Sequence, residues 1–138
     1  MHYILIDTSY LVFYRFYALI QWWKMANADI ELGIPEENQD FCDKFEKSII
    51  DSVKTIRKLL KLHETKYKKP EVKVIAAYDC PRSKIWRNSL YSQYKGTRDR
   101  EDKYKYTIGK FFKIVYRKEL MKMAGCDYII EEDDLEAD

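Results

Sequence analysis

A chain of 138 residues that is 46% hydrophobic, with only four glycines and three prolines, carries enough apolar material for one folded core and excludes a disordered or collagen-like protein. Its formal net charge of +2 hides an uneven distribution. Thirteen basic residues against four acidic ones lie between Arg82 and Lys122, and an acidic run occupies the end, so a polyanionic partner is expected beside a cation site. Cys42, Cys80 and Cys126 form no CxxC pair and are odd in number, which speaks against a zinc site or a disulfide framework and for thiols in a reducing compartment.

In chain order, Tyr3-Ile4-Leu5-Ile6 is a continuous apolar run closed by Asp7, the pattern of a buried parallel strand. No basic region precedes it, which disfavours a secretory signal. The aromatic stretch Tyr10 to Trp23 is too short to span a bilayer and is interrupted by Arg15, so a cytoplasmic protein without a membrane partner is expected. Thr8 or Ser9 is placed to cap a helix through roughly Asn27, with Leu11, Phe13, Phe16, Tyr17 and Ile20 on its apolar face. Residues 28 to 40 read as a loop broken by Gly33 and Pro35, with Pro35 placed to open the next helix. Phe41, Phe45, Ile49, Val53, Ile56 and Leu60 then recur at spacings of three and four, an amphipathic helix ending near the cluster Lys66-Tyr67-Lys68-Lys69.

A second apolar run, Val72 to Tyr78, is closed by Asp79 and ended by Pro81. The polar, basic stretch from Ile85 to Arg100 predicts helical pieces broken at Gly96. A single helix is expected from Tyr106 to Ala124, burying Ile108, Phe111, Phe112, Val115 and Leu120 and capped by Gly125. A third strand, Asp127 to Ile130, follows directly. The order strand, helices, strand, helices, strand predicts an α/β fold with a parallel sheet.

Seven carboxylates lie between Asp127 and Asp138 with no basic residue among them. Acidic tails are usually solvated, but open α/β sheets bind ligands beyond the carboxyl ends of their strands, and Asp7 and Asp79 both close strand-like runs. Asp7, Asp79, Glu136 and Asp138 are hard oxygen donors of the kind Mg²⁺ or Mn²⁺ prefers, and a pair of such ions suits phosphodiester hydrolysis. Asp133 and Asp134 are nearer the strand and are expected to cap a helix carrying Glu136 and Asp138.

The segment Asp79-Cys80-Pro81-Arg82, continued through Arg87 to Tyr94-Lys95-Gly96-Thr97-Arg98, resembles the phage and bacterial 5′-nucleases of the flap endonuclease family. Ile4-Leu5-Ile6-Asp7-Thr8-Ser9 with Arg15 resembles the family's first motif, and Leu135-Glu136-Ala137-Asp138 its Glu-Ala-Asp-Asp motif. The three segments occur in the family's order.

The resemblance implies a three-layer PIN-like (Rossmann-like) domain over residues 1–138. It has a mostly parallel sheet and a basic helical arch at about residues 84–106, and is truncated on its C-terminal side before the family's DNA-gripping helical element. It implies Asp7, Asp79, Glu136 and Asp138 as metal ligands and Mg²⁺ or Mn²⁺ as cofactor, two ions in the complete enzyme. Lys95 and Arg98 would act on the scissile phosphodiester, Arg15, Arg82 and Arg87 would hold neighbouring phosphates, and Tyr91 and Tyr94 would stack on an unpaired base. The implied activity is structure-specific 5′-3′ exonuclease or flap endonuclease cleavage of DNA with a 5′ end or flap, or of an RNA–DNA hybrid, aided by a separate C-terminal polypeptide. The chain departs from the family in Thr8, where a glycine is usual. Two alternatives remain: a PIN-type ribonuclease, and a non-catalytic nucleic-acid-binding remnant.

Overall fold

Each of the three apolar runs forms a strand, and all three strands run the same way. The computed structural model describes residues 1–61, 71–92, 106–117 and 119–137, without the side chains of Leu60, Lys61 and Arg82. Strand β1 is His2–Asp7, β2 is Val72–Tyr78 and β3 is Tyr128–Glu131, and the parallel sheet has the order β1-β2-β3. Ile6 is in register with Ala76 and Ala76 with Ile129, so β2 is paired on both sides. Alternation puts Ile4, Ile6, Val74, Ala76, Tyr78 and Ile129 on one face, where they join the core.

Helix α1, Thr8–Ala26, begins at once after β1 and is capped by Asp7, not by Thr8 or Ser9: the Asp7 side chain accepts from the Tyr10 N–H at 2.9 Å. Pro35 opens a separate 3-10 turn, Pro35–Glu37, and Asn38 caps the following helix by accepting from the Phe41 N–H. That helix, α2, is Gln39–Lys61, and Phe41, Phe45, Ile49 and Val53 on its inner side are fully buried. Burial of each contributes about 1.5–3 kcal/mol. Phe111 packs edge-on against Phe41 and Phe45 and tilted against Phe16, with ring centroids 4.9–5.6 Å away, so a single ring ties three helices together.

Beyond β2 come a 3-10 turn, Arg82–Lys84, and the short helix α3, Trp86–Leu90. The expected single helix from Tyr106 to Ala124 is two: α4, Gly109–Tyr116, and α5, Glu119–Met123, because Arg117 takes extended backbone between them. The interruption lets Phe111 and Val115 from one piece and Leu120 and Met121 from the other all reach the core. Gly125 is at φ 102°, the left-handed conformation that a helix end followed by a strand requires and that glycine adopts without a Cβ penalty. All three cysteines are free and buried, and burial pushes the Cys126 thiol up to about 11. Among the described residues no helix is long and apolar enough to cross a membrane.

Asp127 does not belong with the acidic run it precedes in sequence. It lies at the start of β3, where one carboxylate oxygen accepts from the Val74 N–H and from Arg57 of α2, both at 2.8 Å. Chiefly the Val74 amide, and then Arg57, hold its carboxyl below the ordinary value of 3.8. A depressed carboxyl stabilises the fold fully above its unfolded value and loses that contribution as pH falls through its folded value. Asp127→Ala is therefore expected to cost about 1–3 kcal/mol in urea denaturation at neutral pH, with the difference from the parent shrinking as the medium is acidified below the ordinary carboxyl range.

Candidate functional site

Parallel pairing sends the C-terminal ends of all three strands to one edge of the sheet. Asp7 ends β1 there, Asp79 follows β2 by one residue, and the acidic run leaves β3 there. The segment after β3 does not form the expected helix. Asp133 and Asp134 make a turn, with Asp134 at φ 71°, and the chain doubles back across the end of β2.

Backbone hydrogen bonds hold that return: the Cys80 N–H donates to the Leu135 carbonyl at 3.1 Å and the Trp86 N–H to the Asp134 carbonyl at 3.0 Å. Lys84 pairs with Asp133 at 3.2 Å, so Asp133 is an ion-pair partner and not the expected helix cap. Arg87 forms an ion pair with Glu136, whose side chain is only 8% exposed. A carboxylate so buried is costly without a partner, and the Arg87 guanidinium supplies one.

Asp79 is the hub. Its Oδ1 accepts from the Ala137 N–H at 2.7 Å, and its Oδ2 accepts from the Ser9 hydroxyl. Ser9 also meets the Tyr116 hydroxyl. A serine hydroxyl has one proton, and it is spent on Asp79, so Tyr116 is the donor to Ser9. Burial, the largest influence, raises the Tyr116 phenol above its ordinary value. Tyr116 is fixed in turn by its ring against Tyr78, centroids 4.7 Å apart. The three segments 7–9, 79–87 and 133–137 are thus joined through α1's first turn, Asp79 and the returning chain.

Neither Ser9 as a donor nor Tyr116 was legible as part of the site. Ser9 stands two residues after Asp7, which is a usable signal; Tyr116 carries none, since its position depends on how α4 packs.

Asp7 is exposed and caps α1. Together with Arg15 it lines an open groove of about 870 Å³ between β1, α1 and α2. Arg15 donates to Ser48 of α2 at 2.6 Å and lies over the Tyr14 ring, so it is placed along the groove. Arg82 lies in the 3-10 turn, Tyr91 is exposed just after α3, and Tyr94, Lys95, Arg98 and Asp138 lie outside the described residues. Among the described residues no three His, Cys, Asp or Glu side chains are grouped so as to hold a metal ion. Asp7, Asp79 and Glu136 have the right donor chemistry for Mg²⁺ but are each engaged by a protein donor: the Tyr10 amide, Ser9 with Ala137, and Arg87.

No family model, no curated protein and no solved structure matches this chain.

If Asp79 holds the returning segment, Asp79→Ala should free it. Limited proteolysis with a glutamate-specific protease is expected to cut after Glu131, Glu132 or Glu136 several-fold faster in the variant than in the parent, with the rest of the chain cut at unchanged rate.

Proposed function

We propose that the chain carries the metal-dependent 5′-nuclease activity of a PIN-like fold, acting on the phosphodiesters of DNA with a 5′ end or flap. The observation that supports this reading is the meeting, at the carboxyl edge of one parallel sheet, of the three segments that resemble the family's motifs: Asp7 to Ser9, Asp79 to Arg87, and Leu135 to Ala137.

In this reading Asp7, Asp79 and Glu136, with Asp138, would hold Mg²⁺ or Mn²⁺, which when bound supplies an activated water and charge stabilisation for phosphodiester hydrolysis. This chain's own residues prepare the place. Ser9 and the Ala137 amide fix the orientation of the Asp79 carboxylate, and Tyr116 fixes Ser9. Arg87 neutralises Glu136 and stands at the site with a guanidinium whose fork suits a phosphate as well as a carboxylate, so a phosphodiester entering the site would meet a cation already in position. Lys95 and Arg98 would act on the scissile phosphate, and Arg15, Arg82, Tyr91 and Tyr94 would engage the neighbouring nucleotides.

The experiment is cleavage of a fluorescent 5′-flap DNA by the chain with Mg²⁺. Asp7→Ala and Asp79→Ala are each expected to lower cleavage at least 100-fold, and chelation of the metal to abolish it. Cleavage that survives Asp79→Ala would sink the assignment.

One observation favours a second reading. Glu136 is paired with a cation of the chain itself, Arg87, which suits a nucleic-acid-binding remnant that does no chemistry. That reading expects flap-DNA binding that weakens steeply with salt, with no turnover at any Mg²⁺ or Mn²⁺ concentration.

A further inference from the structure

Arg87 and Glu136 are each claimed twice. Their ion pair engages the carboxylate that the nuclease reading gives to the metal and the guanidinium that it gives to a phosphate. A guanidinium and a divalent cation compete for the same negative charge and repel each other when close, so Glu136 does not hold both equally well.

The two partners differ in how firmly they are placed. Glu136 sits between two backbone anchors: the Leu135 carbonyl accepts from the Cys80 N–H at 3.1 Å, and the Ala137 N–H donates to Asp79 at 2.7 Å. Its side chain is 8% exposed, whereas that of Arg87 is 35% exposed. Arg87 reaches it from α3, a helix of five residues, on a long side chain that lies over the Trp86 ring, 5.2 Å from its centroid. The guanidinium is therefore the partner able to turn toward a group arriving from solvent, while the carboxylate stays one residue from the contact that holds Asp79.

A carboxylate buried to this degree requires a cation. In the chain by itself Arg87 supplies it. A divalent cation shared with Asp79 would satisfy Glu136 more strongly and leave the guanidinium in need of a new anion, for which its planar fork suits a phosphate.

We propose that the Arg87–Glu136 pair is a latch that makes metal and substrate bind cooperatively. Glu136 holds either Arg87 or a divalent cation, and Arg87 holds either Glu136 or a phosphodiester, so occupation of one frees the other. By linkage the two effects are equal in free energy, and each ligand alone binds more weakly than it does with the other present. The proposal rests on the nuclease reading in taking Glu136 as a metal ligand and Arg87 as a phosphate contact.

The test measures binding and involves no cleavage. Affinity for a labelled 5′-flap DNA, read by fluorescence anisotropy in the presence of a chelator, is expected to rise by roughly fivefold or more in Glu136→Gln, and the gain should vanish when Arg87→Met accompanies it. Simple loss of a negative charge would tighten binding in both backgrounds. Conversely, Mn²⁺ affinity, read from the electron paramagnetic resonance signal of the free ion, should rise by a similar factor in Arg87→Met and not in Arg87→Met with Glu136→Gln. Circular dichroism melts check each fold. Should Arg87→Met not fold, the parent and Glu136→Gln suffice: dimethyl phosphate, a minimal phosphodiester, should tighten Mn²⁺ binding to the parent, relative to sodium chloride at the same concentration, and have no such effect on Glu136→Gln. Additive effects in both cycles, or an equal response to dimethyl phosphate in the two proteins, would overturn the latch. If Mn²⁺ binding is then still lost in Asp79→Ala, the metal site of the nuclease reading survives that failure. Absence of Mn²⁺ binding in the parent and in Arg87→Met would overturn both.

Discussion

The constraint on which the rest depends is the parallel pairing of β2 on both of its sides. Because β1 and β3 run the same way as their neighbour, every strand hands its chain on at the same edge, and residues separated by more than a hundred positions in sequence end there together. An antiparallel β3 would place Asp127 at that edge and carry the acidic run to the opposite one. The lock on this arrangement is at the other edge, where Asp127 accepts from the β2 backbone and from Arg57, and so fixes β3 against both the sheet and α2.

Asp79 occupies the position that this geometry makes central. It closes the middle strand, and its two oxygens are divided between α1, through Ser9, and the chain returning from β3, through the Ala137 amide. The arrangement is a chain of single hydrogen bonds, Tyr116 to Ser9 to Asp79, in which each hydroxyl has one proton and one direction in which to give it. Such a relay orients a carboxylate more sharply than a solvated aspartate would be oriented. The same carboxylate that suits a metal therefore also fastens the acidic segment, and the Arg87–Glu136 pair does the second half of that fastening with a buried charge that a lone glutamate could not sustain.

Much of the fold was legible because periodicity reports burial. The runs ending at Asp7 and Tyr78 are strands, and the phenylalanine spacing of residues 41 to 53 is the buried side of α2. What periodicity does not carry is where a helix is interrupted without glycine or proline. Arg117 breaks the expected helix in two, and no local propensity marks it, because the break is decided by which side chains must reach the core. Nor does charge pattern say whether a carboxylate is solvated or paired. Asp127 and Glu136 stand in the same acidic stretch, yet one is a sheet clamp and the other a buried ion pair, and Asp133 and Asp134 form a turn where a helix cap was expected.

The sequence by itself determined the α/β class, the strand-end positions of Asp7 and Asp79, the free buried cysteines, and the concentration of opposite charges in the last third of the chain. These follow from composition and from one-dimensional spacing, which burial and backbone geometry impose locally. Only the tertiary structure decided that segment 133–137 doubles back over Asp79 and that Tyr116 and Ser9 belong to the same cluster. Those facts depend on strand order and on which face the helices cover, and neither is written in the spacing of residues along a single chain.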